Sequence, residues 1–465
     1  MAYKMLFIPL GCAKNLVDSE RMLEILTGYG FELTDNPADA DAAVINTCTF
    51  IDEAKSESIE RIIETAGYKD PKKGKLRALL VAGCMVERYR ESLYDEIPEI
   101  DAVIGLANIP DIASVALWVL EGNKKLMLGD IPMVRVGKPK NFLSIENYIE
   151  PQSDTSAPRI SLTPPFWSYL KVADGCDNPC SFCVIPAIRG KFKSVPMDFL
   201  VARAKRLAAD GVREINLIAQ DTSNYGRDLY GEPRLSELIE RISKIEDIKW
   251  IRILYTYPLH VNDKLIDVIA DNPKVCKYID VPLQHVADSV LKHMKRGMDY
   301  KKTAAFVKKL RDRIPEICIR TSFIIGYPGE TADDLNSLCN FITEYKLDKV
   351  GFFRYSQEEG TPSADCENQV EESVKQKRLK KVSRAYDKVL KESNESLIGR
   401  TLEFLIEDYD EEKELLIARS YREAPEVDGY IYISAENARY IVPGTFLKAS
   451  VKKAKKFELY AEAIE

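Results

Sequence analysis

The chain has 465 residues, 45% hydrophobic and 30% charged, with a formal net charge of −7. That is ordinary for a soluble globular chain of about three domains at roughly 150 residues each, and the acidic balance excludes a global basic field for nucleic acid. No run of about 18 apolar residues is present for a membrane span, and the opening MAYKMLFIPLG is too short and mixed for a secretory signal, so a cytoplasmic chain without a membrane partner is expected.

Residues 1–140 read as βα repeats. Apolar runs at 5–9, 43–46 and 79–82 have the composition of buried parallel strands, and each precedes an amphipathic stretch, at 16–27, 51–65 and 86–93. Such alternation predicts an open, mostly parallel sheet. Pro139, Pro151, Pro158, Pro164 and Pro165 then break the pattern, which places a linker at 141–165.

The rhythm returns with a longer stride from 166 to 390. Strands are predicted at 169–173, 214–219, 250–255, 278–282, 317–325 and 351–355, with helices at 199–209, 235–245 and 301–313 among those between them. Six such units predict a partial (β/α)6 barrel, whose chemistry belongs at the C-terminal strand ends. A charged helix is predicted over 370–397. Residues 391–465 then change to short alternating runs at 401–406, 414–418, 430–434 and 446–451 between turn residues, which predicts a small all-β barrel of about five strands. The fold class is therefore α/β in three parts.

Ten cysteines in a reducing compartment point to metal binding or catalysis rather than disulfides. With only three histidines, His260, His285 and His293, all-thiolate sites are favoured. Cys176-x3-Cys180-x2-Cys183 directly follows the first barrel strand, in a loop kept tight by Gly175 and Pro179. Three thiolates do not complete tetrahedral zinc. On a four-iron cluster they leave one iron open, and such a cluster reaches the low potentials that electron donation into S-adenosylmethionine (SAM) requires. The alternative is a zinc knuckle with a distant fourth cysteine.

Cys12, Cys48 and Cys84 are spaced at equal intervals of 36 residues, each just after a predicted strand. In a parallel sheet that puts all three at the ligand-binding edge. One such cysteine would be unremarkable packing; three at the same point of successive units predict a second cluster. Cys276, Cys318, Cys339 and Cys366 have no partner at ligand spacing and read as packing or surface residues.

The Cx3Cx2C spacing is that of the radical SAM superfamily. Together with three spread upstream cysteines and a small β-barrel, it makes the whole chain resemble the methylthiotransferases. The strings starting Gly11-CAKNLVDSE, Asn46-TCTFIDEA, Leu254-YTYP, Asp280-VPLQH and Arg320-TSFIIGYPGE look like the branch that modifies an aspartate of small-subunit ribosomal protein uS12 (the RimO branch) rather than the branch that modifies tRNA adenosine. The resemblance implies two [4Fe-4S] clusters, on Cys12, Cys48 and Cys84 and on Cys176, Cys180 and Cys183, with SAM as co-substrate. It implies a low-potential electron donor of flavodoxin or ferredoxin type, uS12 or the small subunit as partner, and a TRAM-type C-terminal barrel that holds substrate in a chain acting as a monomer. A deoxyadenosyl radical would take hydrogen from the aspartate β-carbon, sulfur would come from the upstream cluster, and a second SAM would supply methyl.

Phe182 would lie along the adenine, or simply pack. Gln220, Gln284, Arg320 and Ser322, with Asp221 and His285 beside them, would line the SAM pocket or be satisfied polar groups at the barrel rim. The turn Gly326-Tyr-Pro-Gly329 would let backbone approach a ligand. Arg189 and Lys191 would contact substrate or be solvated. The 391–465 segment carries 11 Lys+Arg against 16 Asp+Glu, which suits a basic protein partner better than RNA, although Lys452, Lys453, Lys455 and Lys456 pull the other way. Two other readings remain: the same chemistry on a tRNA adenosine, and a non-catalytic metal-binding ribosome assembly factor.

Overall fold

The structure is a computed structural model that describes residues 2–90, 92–123, 126–128, 160–455 and 458–464. Most of the linker expected at 141–165 lies outside these residues. The chain divides into two compact units. One comprises Met1–Leu162, Asp174–Asp177 and Val184–Phe192; the other comprises Thr163–Ala173, Asn178–Cys183 and Lys193–Glu465.

In the first unit the elements run β1 (Lys4–Pro9), α1 (Ala13–Gly28), β2 (Glu32–Thr34), β3 (Ala42–Thr47), α2 (Asp52–Ala66), β4 (Ala78–Gly83), α3 (Cys84–Tyr89), α4 (Ser92–Glu96), β5 (Ala102–Ile104), α5 (Ile112–Leu120) and β6 (Leu126–Leu128). The strands form one parallel sheet in the order β2-β1-β3-β4-β5-β6. Every residue of β3 and β4 is buried, because helices cover both faces. Val44, Leu80 and Ile104 pack with Met22 and Leu26 of α1 and with α5 on one side. Ile45, Val81 and Val103 pack with Ile62 of α2 and Met85 of α3 on the other. This burial on both sides is why the strands read as continuous apolar runs. The single stretch expected at 86–93 is two short helices instead, since Arg90 adopts φ +43° and ends α3.

In chain order the next elements are β7 (Trp167–Lys171), β8 (Ala173–Asp174), α6 (Ile185–Arg189), β9 (Lys193–Ser194), α7 (Met197–Ala209), β10 (Glu214–Ile218), α8 (Arg227–Tyr230), α9 (Leu235–Ser243), β11 (Trp250–Ile253), α10 (Asp263–Asp271), β12 (Tyr278–Asp280), α11 (Asp288–His293), α12 (Tyr300–Arg313), β13 (Cys318–Ile325), α13 (Ala332–Tyr345), β14 (Lys349–Arg354) and α14 (Glu372–Glu395). Within the second unit, β7, β10 and β11 pair in parallel, as do β12, β13 and β14. The two groups meet where the backbone N–H of Thr256 donates to the Asp280 carbonyl at 2.9 Å and that of Tyr255 to the Asp280 carboxylate, also at 2.9 Å. The six predicted units are all present as an open (β/α)6 barrel.

The chain ends with β15 (Thr401–Asp410), β16 (Leu415–Ser420), β17 (Ile431–Ser434), β18 (Phe446–Ala454) and β19 (Leu459–Ala463). They close in the order β15-β16-β17-β19-β18 around Phe404, Ile406, Leu416, Ile433 and Val451. This small barrel is keyed into the second unit by the segment from Arg419 to Asp428, which reaches the N-terminal ends of the large barrel's strands. Glu214, first in β10, accepts from Arg252 at 2.9 Å and from Arg419 at 2.7 Å, all three side chains being fully buried. Asp428 accepts from Tyr278 at 2.6 Å, and Lys349 pairs with Glu423 at 3.1 Å. Glu407 also accepts from Arg419 at 2.6 Å, so Glu407, Glu423 and Asp428 are committed to internal pairs, which removes part of the acidity that the tail's composition offered to a basic partner. No helix among the described residues is long and apolar enough to cross a membrane.

Candidate metal centres

Cys12, Cys48 and Cys84 follow β1, β3 and β4, three strands adjacent in the sheet. Thr47 pairs with Gly83, so Cys48 and Cys84 leave their strands in register. Cys12 is the N-cap of the 16-residue α1, where helix N–H groups favour a thiolate. Loss of hydration is the largest influence on its sulfur even though the residue reaches the surface. The charges of Lys14 and Arg189 and the N–H groups of Asn15 and Lys14 outweigh that loss and hold the Cys12 thiol below its ordinary pKa. Burial raises Cys48, and burial pushes Cys84 up to about 12 despite Arg189; Cys12 adds to the rise in both, and Cys48 to that of Cys84.

Two glycines make room for this grouping. A Cβ on Gly11, at φ +94°, would stand 2.7 Å from the Cβ of Cys48. One on Gly83, at φ +96°, would stand 2.3 Å from Oδ1 of Asn46 and 2.6 Å from the Thr47 carbonyl. Asn46 in turn donates to the Asn15 carbonyl at 2.9 Å and to Ser19 Oγ at 2.8 Å. Gly83→Ala is expected to lower stability by about 2–4 kcal/mol, combining overpacking with a strained φ. It should also reduce the iron bound by the reconstituted chain; urea unfolding and iron assay check both.

The buried face of α1 is unusually polar, carrying Asn15, Asp18 and Ser19. That face meets Arg189, whose side chain is 2% exposed. Spacing on α1 could have flagged Asn15 and Asp18, one helical turn apart; Arg189, expected to contact substrate or be solvated, is instead buried against them, and nothing local in the sequence pointed to that.

Of the triplet, Cys176 belongs to the first unit and Cys180 and Cys183 to the second. The Cys176 N–H donates to the Gly190 carbonyl at 3.1 Å, and Gly175 is obligatory there, since a Cβ would stand 2.2 Å from the Lys191 carbonyl. Within the second unit, Cys183 N–H closes a turn on the Cys180 carbonyl at 3.2 Å, and Arg296 donates to Cys180 Sγ at 3.4 Å. Among the described residues no three Cys, His, Asp or Glu side chains are placed to hold one metal ion. The ligands of a polynuclear cluster each bind a different iron and are not required to converge on one point.

The other expected pocket residues separate. Gln284, at φ +72°, donates from its N–H to the Ser322 carbonyl at 2.8 Å, so these two stand together. Phe182 packs against Ala287, Met294, Tyr327 and Tyr355, alongside Ile324 of the same strand as Ser322. Gln220 follows the C-terminal end of β10. Arg320 is elsewhere: near the start of β13, it donates to Asp280 at 2.8 Å and Asp428 at 3.2 Å. His285 is fully buried, its Nδ1 accepting from the Ala287 N–H at 3.0 Å. The room beside Gly326 and Gly329 is filled by Lys375 and Asn368, 2.4 Å from the added Cβ positions, so packing explains these glycines. Sequence reasoning missed the pair His260–Asp221 (2.6 Å), with Asn178 of the triplet loop also donating to Asp221 at 2.9 Å.

Residues 4–105 match Uncharacterized protein family UPF0004, residues 170–342 the Radical SAM superfamily, and residues 398–464 the TRAM domain. A ribosomal protein uS12 methylthiotransferase RimO of Desulforamulus reducens is 43% identical over 456 residues, covering 98% of each chain. The chain belongs to the uS12 methylthiotransferase family. Family members of the same name from Lachnoclostridium phytofermentans and Geobacter sulfurreducens are 41% and 42% identical, covering 99% of this chain and 100% and 98% of theirs. Beyond the uS12 methylthiotransferases, the fold is similar to that of the radical S-adenosylmethionine methyltransferase TsrM from Kitasatospora setae, at TM-score 0.54 and 16% identity over 78% of this chain and 74% of that one.

Proposed function

We propose that the chain methylthiolates the β-carbon of an aspartate in ribosomal protein uS12. The observation that carries this reading is the similarity over 98% of both chains to proteins named for that modification. The cofactors are two [4Fe-4S] clusters and SAM. Cys12, Cys48 and Cys84 would hold one cluster, and the clearances at Gly11 and Gly83 and the cationic Arg189 beside the thiols fit a group bound by thiolates. Cys176, Cys180 and Cys183 would hold the other. When bound, these groups supply a radical able to take hydrogen from an unactivated C–H bond, together with the sulfur that replaces it.

The remaining work falls to the chain's own residues. Gln284 and Ser322 would line the SAM pocket, with Gln220 after the end of β10 and Phe182 as an apolar wall. Arg320 serves the barrel's internal ion pairs. Asp221 fixes the ring of His260 in the loop after β11. The partners are uS12 or the small subunit and a low-potential flavodoxin or ferredoxin; the chain acts as a monomer in the cytoplasm.

Anaerobically reconstituted chain, reductant and SAM should add a methylthio group to uS12, read by mass, with deoxyadenosine formed alongside. Gain on tRNA nucleosides alone would transfer the proposal to the tRNA reading. Zinc without iron, and no deoxyadenosine, would favour an assembly factor.

A further inference from the structure

Arg189 lies six residues beyond the last cysteine of the triplet, yet its segment Val184–Phe192 belongs to the first unit. There its guanidinium is divided between two tasks. Nη1 faces carboxylates, at 3.1 Å from Asp18 and 3.0 Å from Asp174. Nη2 donates to Asn15 Oδ1 at 2.6 Å, and it also faces Asp18 at 3.1 Å and Cys84 Sγ at 3.4 Å. Asn15 is itself held, its amide donating to the carbonyls of Leu10 at 3.1 Å and Thr47 at 2.8 Å, in the segments that lead into Cys12 and Cys48. The fork is therefore held by Asn15, Asp18 and Asp174, and an N–H of Nη2 is shared between Asp18 and the Cys84 sulfur.

We propose that Arg189 is a positioning residue that sets the one-electron potential of the cluster on Cys12, Cys48 and Cys84. This rests on the reading of those cysteines as cluster ligands. An N–H directed at a ligand sulfur, and a nearby positive charge, stabilise the more negative, reduced cluster. Asp18 and Asp174 hold the guanidinium in place and more than offset its charge, so the directed hydrogen bond is the part that distinguishes Cys84 from its two companions. A lysine would keep the charge, but its single ammonium has no planar fork to face both carboxylates and the sulfur.

The test uses the full chain carrying C176A/C180A/C183A, so that iron can bind only upstream. The couple [4Fe-4S]2+/[4Fe-4S]+ is titrated with dithionite as the electron source and followed by electron paramagnetic resonance. Arg189→Gln should bind as much iron as the parent and show about a tenfold lower ratio of reduced to oxidised cluster at a fixed potential, which is about 59 mV for one electron. Arg189→Lys should move the same way by less, and it serves where the glutamine variant, with Asp18 and Asp174 uncompensated, fails to fold. An unchanged potential with iron bound, in whichever variant folds, overturns the inference alone. A folded parent that binds no iron overturns the upstream cluster and the inference together.

Discussion

Replacing Cys12, Cys48 and Cys84 together by alanine is expected to separate SAM cleavage from product formation. The variant should still generate deoxyadenosine, because Cys176, Cys180 and Cys183 are untouched. Methylthiolated uS12 should fall at least about a hundredfold, since no acid–base side chain can deliver sulfur to an unactivated carbon. Iron should fall from about eight per chain to about four if both groups are cubanes. The substitutions remove small buried thiols of the kind that pack as apolar groups, so the thermal midpoint of the chain before reconstitution should change little. Product at the parent's rate would refute the upstream cysteines as the sulfur site.

Glu214→Ala is expected to be the most destabilising single change in the second unit. It leaves Arg252 and Arg419 fully buried without their shared carboxylate, and removing one partner of a buried ion pair costs about 3–5 kcal/mol. Urea unfolding should show this loss. Burial opposes the charge on Glu214, but the guanidinium groups of Arg419 and Arg252 outweigh it and hold the carboxyl below the ordinary glutamate value. An acid whose folded pKa is depressed contributes stability above its unfolded pKa, and that contribution disappears as pH falls through the folded value. The parent should therefore lose stability steeply on acidification below the ordinary carboxylate range, and Glu214→Gln should lack that part of the slope. Burial raises the carboxyl of nearby Glu407, which contributes with the opposite sign, so Glu214 must be substituted alone.

These two predictions differ in how far each could be read before the fold was known. The cysteine prediction follows from spacing. Two equal intervals between three cysteines, each cysteine just after an apolar run, already put the thiols at one sheet edge, because parallel strands carry that periodicity locally. The structure adds that β1, β3 and β4 are neighbours and that Gly11 and Gly83 clear the space. The Glu214 prediction has no such signature. Glu214 and Arg419 are 205 residues apart, and the tail's acidic residues read as a face for a basic partner, whereas the 419–428 segment enters the base of the barrel. Arg320 was misplaced for the same reason: strand periodicity shows which residues share a face, but not that Asp428 would return to meet one of them at the N-terminal end.

The sequence by itself determined the fold class, the spacing of both cysteine sets, the strand ends that carry them and the family resemblance. All of these rest on residue types and spacings within a few turns of chain. Only the tertiary structure decided what surrounds the cysteines. Arg189 lies 105 residues from Cys84, and it reaches that sulfur because the segment after the triplet folds onto the N-terminal sheet. Charge pairing of this kind depends on distance in space, and linear order does not encode it.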